Sequence, residues 1–207
     1  MKILKVYILP ILALLFIPIS GNASDGEEFE VEGVKVILKP SVKEVISVRL
    51  FIDGGTANYT KDKEGIEALT LNLATSGGTQ SMPKVEFNNE LEKIGTTINS
   101  STNFDYGDVS LTCVKTYWDK SWSLFADAIM KPAFDQKEFQ ITQDQFIAGA
   151  QQSESNPDAH LLNMSMAHVF EGKNYSKIPN GTVSSLQALT PQDVKDYYNT
   201  IMVKNRI

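Results

Sequence analysis

The sequence predicts an α+β domain in which an antiparallel-rich sheet packs against several helices. Two observations carry this reading. Period-two alternation of apolar residues occurs mainly in the first half of the chain. The second half is a series of helical segments, opened by capping residues and closed by glycine or proline. Strands followed by helices around one core is the α+β order, and neither an internal repeat nor a flexible linker interrupts it.

The first strands lie in "FEVEGVKVILKP" from Phe29, two short alternating runs around Gly33. "EVISVRLFIDGG" follows, with Ile46, Val48, Leu50 and Ile52 on one face. Gly65 to Thr79, "GIEALTLNLATSGGT", is an apolar helix opened by one glycine and shut by two. In "SMPKVEFNNELEKIGTT", Ser81 is the expected cap, Pro83 fits the first turn and Gly95 closes the helix after Ile94. "TINSSTN" and "YGDVSLTCVKT" are strands, the second turning Val109, Leu111 and Cys113 inward. "WDKSWSLFADAIMKPAF" is a helix ending at Pro132, with Trp118, Trp122, Phe125 and Ile129 at core-packing spacing. The next helix begins with a capping-box pattern at Asp135 and Glu138. "NPDAHLLNMSMAHVFEG" stops at Gly172, and the last helix has Thr190 as cap, Pro191 in its first turn and Asp193 third. Val203 to Ile207 reads as the start of another strand.

Residues 1–23 have the features of a signal peptide: Lys2 and Lys5, an apolar run from Val6 to Ile19, and a Gly-x-Ala site at Gly21 to Ala23. The run is short for a bilayer and carries Pro10 and Pro18, so no stable membrane anchor is expected after cleavage. The expected location is exported, periplasmic or secreted. Without Lys2 and Lys5 the chain has 17 basic against 25 acidic residues, a balance of −8, and no basic cluster. Nucleic acid is therefore not an expected partner. The single cysteine, Cys113, excludes an internal disulfide, and its alternation with Val109 and Leu111 reads as a buried inert thiol.

On the helix after Gly65, Ala68 and Asn72 are four apart and share a face, with Leu71 beside them. Two His at that spacing, with a Glu before the second, hold zinc and a catalytic base in His-x-x-Glu-His peptidases. Ala68, Leu71 and Asn72 offer neither a zinc ligand nor a base. The surroundings nonetheless resemble the insulinase (pitrilysin, mitochondrial processing peptidase) family of zinc metallopeptidases. In that family the helix runs Gly-hydrophobic-Ala-His-Phe-x-Glu-His and ends in Gly-Thr. "ISVRLFIDGGTANYTKDKEGI" looks like the family strand and loop feeding this helix, and "ELEKIGTTINSSTNFDYGDVSL" like the helix and substrate-edge strands after it. "MKPAF" resembles the family's Asn-Pro-Thr-Phe. The most specific match is "YSKIPNGTVSSLQALTPQDVKDYY", Tyr175 to Tyr198, similar to Tyr-Gly-x-Pro…Gly-Thr-x-x-Ser-Leu…Leu-Thr…Asp-Leu…Tyr.

The resemblance implies a metallopeptidase half-domain over 24–207, cut before its last strand. It implies zinc in active relatives. The family's third ligand, a Glu on a later helix, corresponds to Gly149 when the match is anchored on Asn156-Pro157. With Ala68, Leu71, Asn72 and Gly149 at these places, no cofactor is expected here. Family members enclose a chamber of several such domains, so a zinc-bearing homologous subunit or a second domain is the expected partner. The strand resembling "TINSSTN" presents a free edge to peptide substrate, which gives Asn99, Ser100, Ser101 and Thr102 as the candidate edge.

The implied function is that of a non-catalytic homologue, a structural and peptide-binding subunit or domain of an exported protease. A stand-alone peptide-binding scaffold is the alternative, as is an active metalloendopeptidase with other ligands. His168 and Glu171 are the candidates for the latter, because His160 and His168 lie about 12 Å apart on one helix, too far to share an ion.

Overall fold

The computed structural model describes residues 26–207; the expected signal peptide, 1–23, lies outside the described residues. No helix among the described residues is long and apolar enough to cross a membrane. The chain divides into two units. The smaller comprises residues 26–31 and 35–41 of the described chain, and the larger 32–34 and 42–207. Strands β1 (Glu27–Val31) and β2 (Val34–Leu38) form a two-stranded sheet. Glu32 and Gly33 join them with φ of 52° and 88°, as a two-residue mirror-image turn requires.

The larger unit is built on a three-stranded antiparallel sheet in the order β3-β7-β6, from β3 (Val45–Asp53), β6 (Thr97–Thr102) and β7 (Tyr106–Val114). The register aligns Ile52 with Gly107 and Gly107 with Thr102. Period-two alternation turns Ile52, Val109, Leu111, Cys113 and Ile98 into the core, with Ile46, Val48 and Leu50 packed against it. On that face lies α1 (Ile66–Ser76), nine of whose 11 residues are buried. It packs on β6 and β7 and against α3 (Trp118–Met130), α4 (Gln136–Ser155) and α7 (Pro191–Ile201). A helix enclosed on every side is apolar around its circumference, and α1 is. Gly65 opens it with φ 86°, where a Cβ would sit 2.8 Å from the Cα of Gly181. Only glycine allows this backbone-to-backbone approach.

A two-stranded pair, β4 (Gly78–Thr79) with β5 (Met82–Pro83), separates α1 from α2 (Lys84–Lys93). This corrects the expected capping. Pro83 is itself the N-cap, no side chain caps α2, and the Ser81 hydroxyl lies 3.1 Å from that of Thr79 across the turn. Asp135 caps α4 as expected, accepting from the N–H groups of Lys137 and Glu138. The box is not closed, because the Glu138 carboxylate pairs with Lys84 at 2.7 Å. α3 stops at Met130, and α5 (Pro157–Val169) stops short of Gly172. A short helix that the sequence reading missed, α6 (Val183–Ala188), carries its own capping box at Thr182 and Ser185. The last residues are a 3-10 turn, Lys204–Arg206, instead of a strand.

The box at Thr190 and Asp193 is complete, and Asp193 also pairs with Lys63 at 2.8 Å. Thr190→Ala should cost about 1 kcal/mol. Thermal unfolding followed by circular dichroism should then show a midpoint lower by about 2–4 °C.

Candidate functional site

The site the sequence marked lies on α1. Ala68 is 6% exposed, Leu71 fully buried, and Asn72 half-buried, where the Ser76 hydroxyl donates to its backbone carbonyl (2.8 Å) and side-chain oxygen (3.2 Å). Gly149 lies on the exposed side of α4, with nothing within 4 Å of where a Cβ would be. A methyl, an isobutyl, a carboxamide and a hydrogen are the donor set these four positions present. Among the described residues no three His, Cys, Asp or Glu side chains come together as a metal cluster. These residues do not fit the zinc that the resemblance implies in active relatives.

What α1 carries instead is a buried carboxylate. Glu67 is 0% exposed. Its Oε2 accepts from the Tyr197 hydroxyl of α7 at 2.5 Å and from Asn58 Nδ2 at 3.4 Å. Asn58 in turn accepts from Arg206 and donates to the Asp53 carbonyl at 3.0 Å. Oε1 has no hydrogen-bond partner among the described residues. It points at β7 where Gly107 leaves room: a Cβ there would lie 2.6 Å from Oε1 and 2.9 Å from Leu71 Cδ1. Burial raises the Glu67 carboxyl above the usual range, against the opposing pull of Tyr197, Asn58 and the charge of Arg206. Burial also raises the hydroxyls of Tyr197 and Tyr59, with Glu67 adding to both. Glu64 is likewise raised by burial, with the Ile178 N–H, Lys61 and Lys177 opposing. Lys177 fastens the loop before α1, donating to the carbonyls of Thr56 (2.7 Å) and Tyr59 (2.6 Å).

The second element is β6, which pairs with β7 on one side and stands at the edge of the sheet among the described residues. Asn99 and Ser101 are exposed, and Ser100 and Thr102 half-buried. Ser101 donates to Asp108 at 2.7 Å, and the Thr75 hydroxyl of α1 reaches Ser100 at 3.4 Å. The structure therefore puts the strand of the four edge residues beside α1, which carries Ala68, Leu71 and Asn72, while Gly149 faces outward.

The remaining candidates scatter. His160, His168 and Glu171 are exposed, and Glu171 lies beyond the end of α5. Cys113 is buried in the core. Phe125 is buried with it, but Trp122 is 44% exposed and stacks on Trp118 at 5.3 Å, so only part of that stripe is core. Tyr197, Asn58 and Arg206 carried no sequence signal; Asn58 meets Glu67 from the loop before α1, while Tyr197 and Arg206 reach Glu67 and Asn58 from the far end of the chain.

An α+β domain with a buried helix on one face of an antiparallel sheet, and with β6 at the edge of that sheet among the described residues, is the class that the fold defines. The profile described as Insulinase (Peptidase family M16) matches residues 35–182, and the chain belongs to this family. It is similar to the mitochondrial-processing peptidase subunit beta of Dictyostelium discoideum, 17% identical over 84% of this chain and 37% of that protein. It is also similar to the non-peptidase homolog YmxG of Helicobacter pylori (strain ATCC 700392 / 26695), 21% identical over 99% of this chain and 47% of that one. The chain thus spans less than half the length of these relatives. In fold it resembles a protease from Helicobacter pylori, with a TM-score of 0.78 and 21% identity over 88% of this chain and 45% of that one. A peptidase M16 inactive domain from Pseudomonas fluorescens gives 0.76 and 18% over 84% and 43%.

The burial of Glu67 predicts that the stability of this unit depends on pH. Because its folded value is raised, the stability it contributes is full below the ordinary glutamate range and is lost as pH rises through the folded value. Glu67→Gln stays neutral and keeps an acceptor for Tyr197. The melting temperature of this variant minus that of the natural protein should therefore grow between pH 4 and pH 8. A flat difference would show that Glu67 does not titrate against its burial.

Proposed function

We propose that this chain is a non-catalytic insulinase-type subunit or domain that binds extended peptide at the β6 edge while a zinc-bearing homologous subunit or second domain supplies the chemistry. The observation that carries the reading is the donor set: Ala68, Leu71, Asn72 and Gly149 cannot hold a divalent cation or polarise its water. The similarity to a relative named as a non-peptidase homolog and to a domain described as inactive supports it. Strand addition works through backbone N–H and C=O groups, so β6 can retain it whatever residues stand at the metal positions. In this reading the protein is exported, to the periplasm or outside the cell, by the segment ending near Ala23.

Three measurements test it. Metal analysis of the purified protein should find no stoichiometric zinc, and peptide hydrolysis should occur only when an active homologue is added. One tightly bound zinc would sink the proposal. An extended peptide should bind the protein, and its N-methylated analogue, which lacks the donors a strand needs, should bind about tenfold more weakly.

A further inference from the structure

A cleft of about 340 Å³ lies between α7 and the turn that joins α3 to α4. It is at the small end of ligand clefts, which run from ~300 to 1,000 Å³. Met130, Phe134 and the ring of Tyr198 form its apolar walls, and Gln80, Lys195 and Asn199 its polar side. Lys195 and Asn199 are one turn apart on α7, with Tyr198 next to Asn199, so one helix face presents all three.

Two features set this cleft apart from an ordinary surface groove. Phe134 has a φ of 45°, a conformation that bulky residues rarely adopt and that persists only where the surroundings impose it. Its ring meets that of Tyr198 edge-on at 5.0 Å, and the Tyr198 hydroxyl is already spent on the Ile129 carbonyl. The strained backbone thus sets an aromatic wall in place. Second, the side chains of Gln80, Lys195 and Asn199 make no hydrogen bond or ion pair among the described residues. Met130 beside them is 75% exposed. An ammonium and two amides facing apolar walls match an apolar body that carries a carboxylate. The last residue of a peptide has this chemistry, with its side chain for the walls, its carboxylate for Lys195 and its amide N–H for a carboxamide oxygen.

We propose that this cleft is a peptide subsite for a free C-terminal carboxylate preceded by an apolar side chain. It rests on α7 and the α3–α4 turn, not on β6, so it stands or falls separately from strand addition. The test is an NMR titration of the isotope-labelled chain with N-acetyl-leucine, N-acetyl-leucinamide and decanoate. N-acetyl-leucine should shift the Phe134 and Asn199 amides saturably. The amide analogue, and Lys195→Gln with the acid, should each bind about tenfold more weakly. Lys195 is exposed and has no partner to lose, so the variant should fold as the natural protein does. An equal response to acid and amide, an unchanged response in Lys195→Gln, or no saturation overturns the proposal. Saturable binding of decanoate without N-acetyl-leucine also overturns it, giving the cleft to fatty carboxylates.

Discussion

The enclosure of α1 is the constraint on which the rest of the larger unit depends. The sheet lies beneath it, α3, α4 and α7 surround it, and Gly65 lets its first turn press against the backbone at Gly181. Burying side chains such as Leu69, Leu71 and Leu73 contributes about 1.5–3 kcal/mol each, the largest favourable terms available to a chain of this size. None of that stabilisation involves a metal. The helix can therefore carry Ala68, Leu71 and Asn72 on these turns while the architecture persists.

The same enclosure explains why Glu67 has so many partners. An ionisable group in this place is costly unless its oxygens are satisfied, and one of them is, by a hydroxyl from α7 and an amide from the loop before α1. The other occupies the space that Gly107 leaves by having no side chain. A carboxylate, a glycine on the sheet and a tyrosine on the last helix are therefore one packing solution. Arg206 adds a distant positive charge through Asn58, which ties the final 3-10 turn to the same network.

Features set by local geometry were legible in the sequence. The alternation in β3 and β7 shows because one face of each is buried, and the Thr190–Asp193 box because both partners lie within one turn. Features set by competition between segments were not. Ser81 has the chemistry of a cap, but the β4–β5 pair turns it toward Thr79, and Glu138 completes no box because Lys84 takes its carboxylate. Trp122 has the spacing of a core residue, yet α3 turns it outward, since spacing gives a stripe and not its width. The residue types along α1 could be read one by one, whereas the Glu67 network could not: Tyr197 lies 130 residues away, and no periodic pattern links them.

That separation bears on how the protein is made. A ribosome adding about 5–20 residues per second finishes α1 on the order of ten seconds before Tyr197 emerges. Until residues 136–155 are made, a helix that is apolar on all sides has neither α4 nor α7 to cover it, and throughout the interval it lacks α7 and its carboxylate lacks its hydroxyl partner. The nascent chain is thus most adhesive in mid-synthesis, and a chaperone that shields Leu69 to Leu73 until the last helix arrives would act at the step where aggregation competes best with folding.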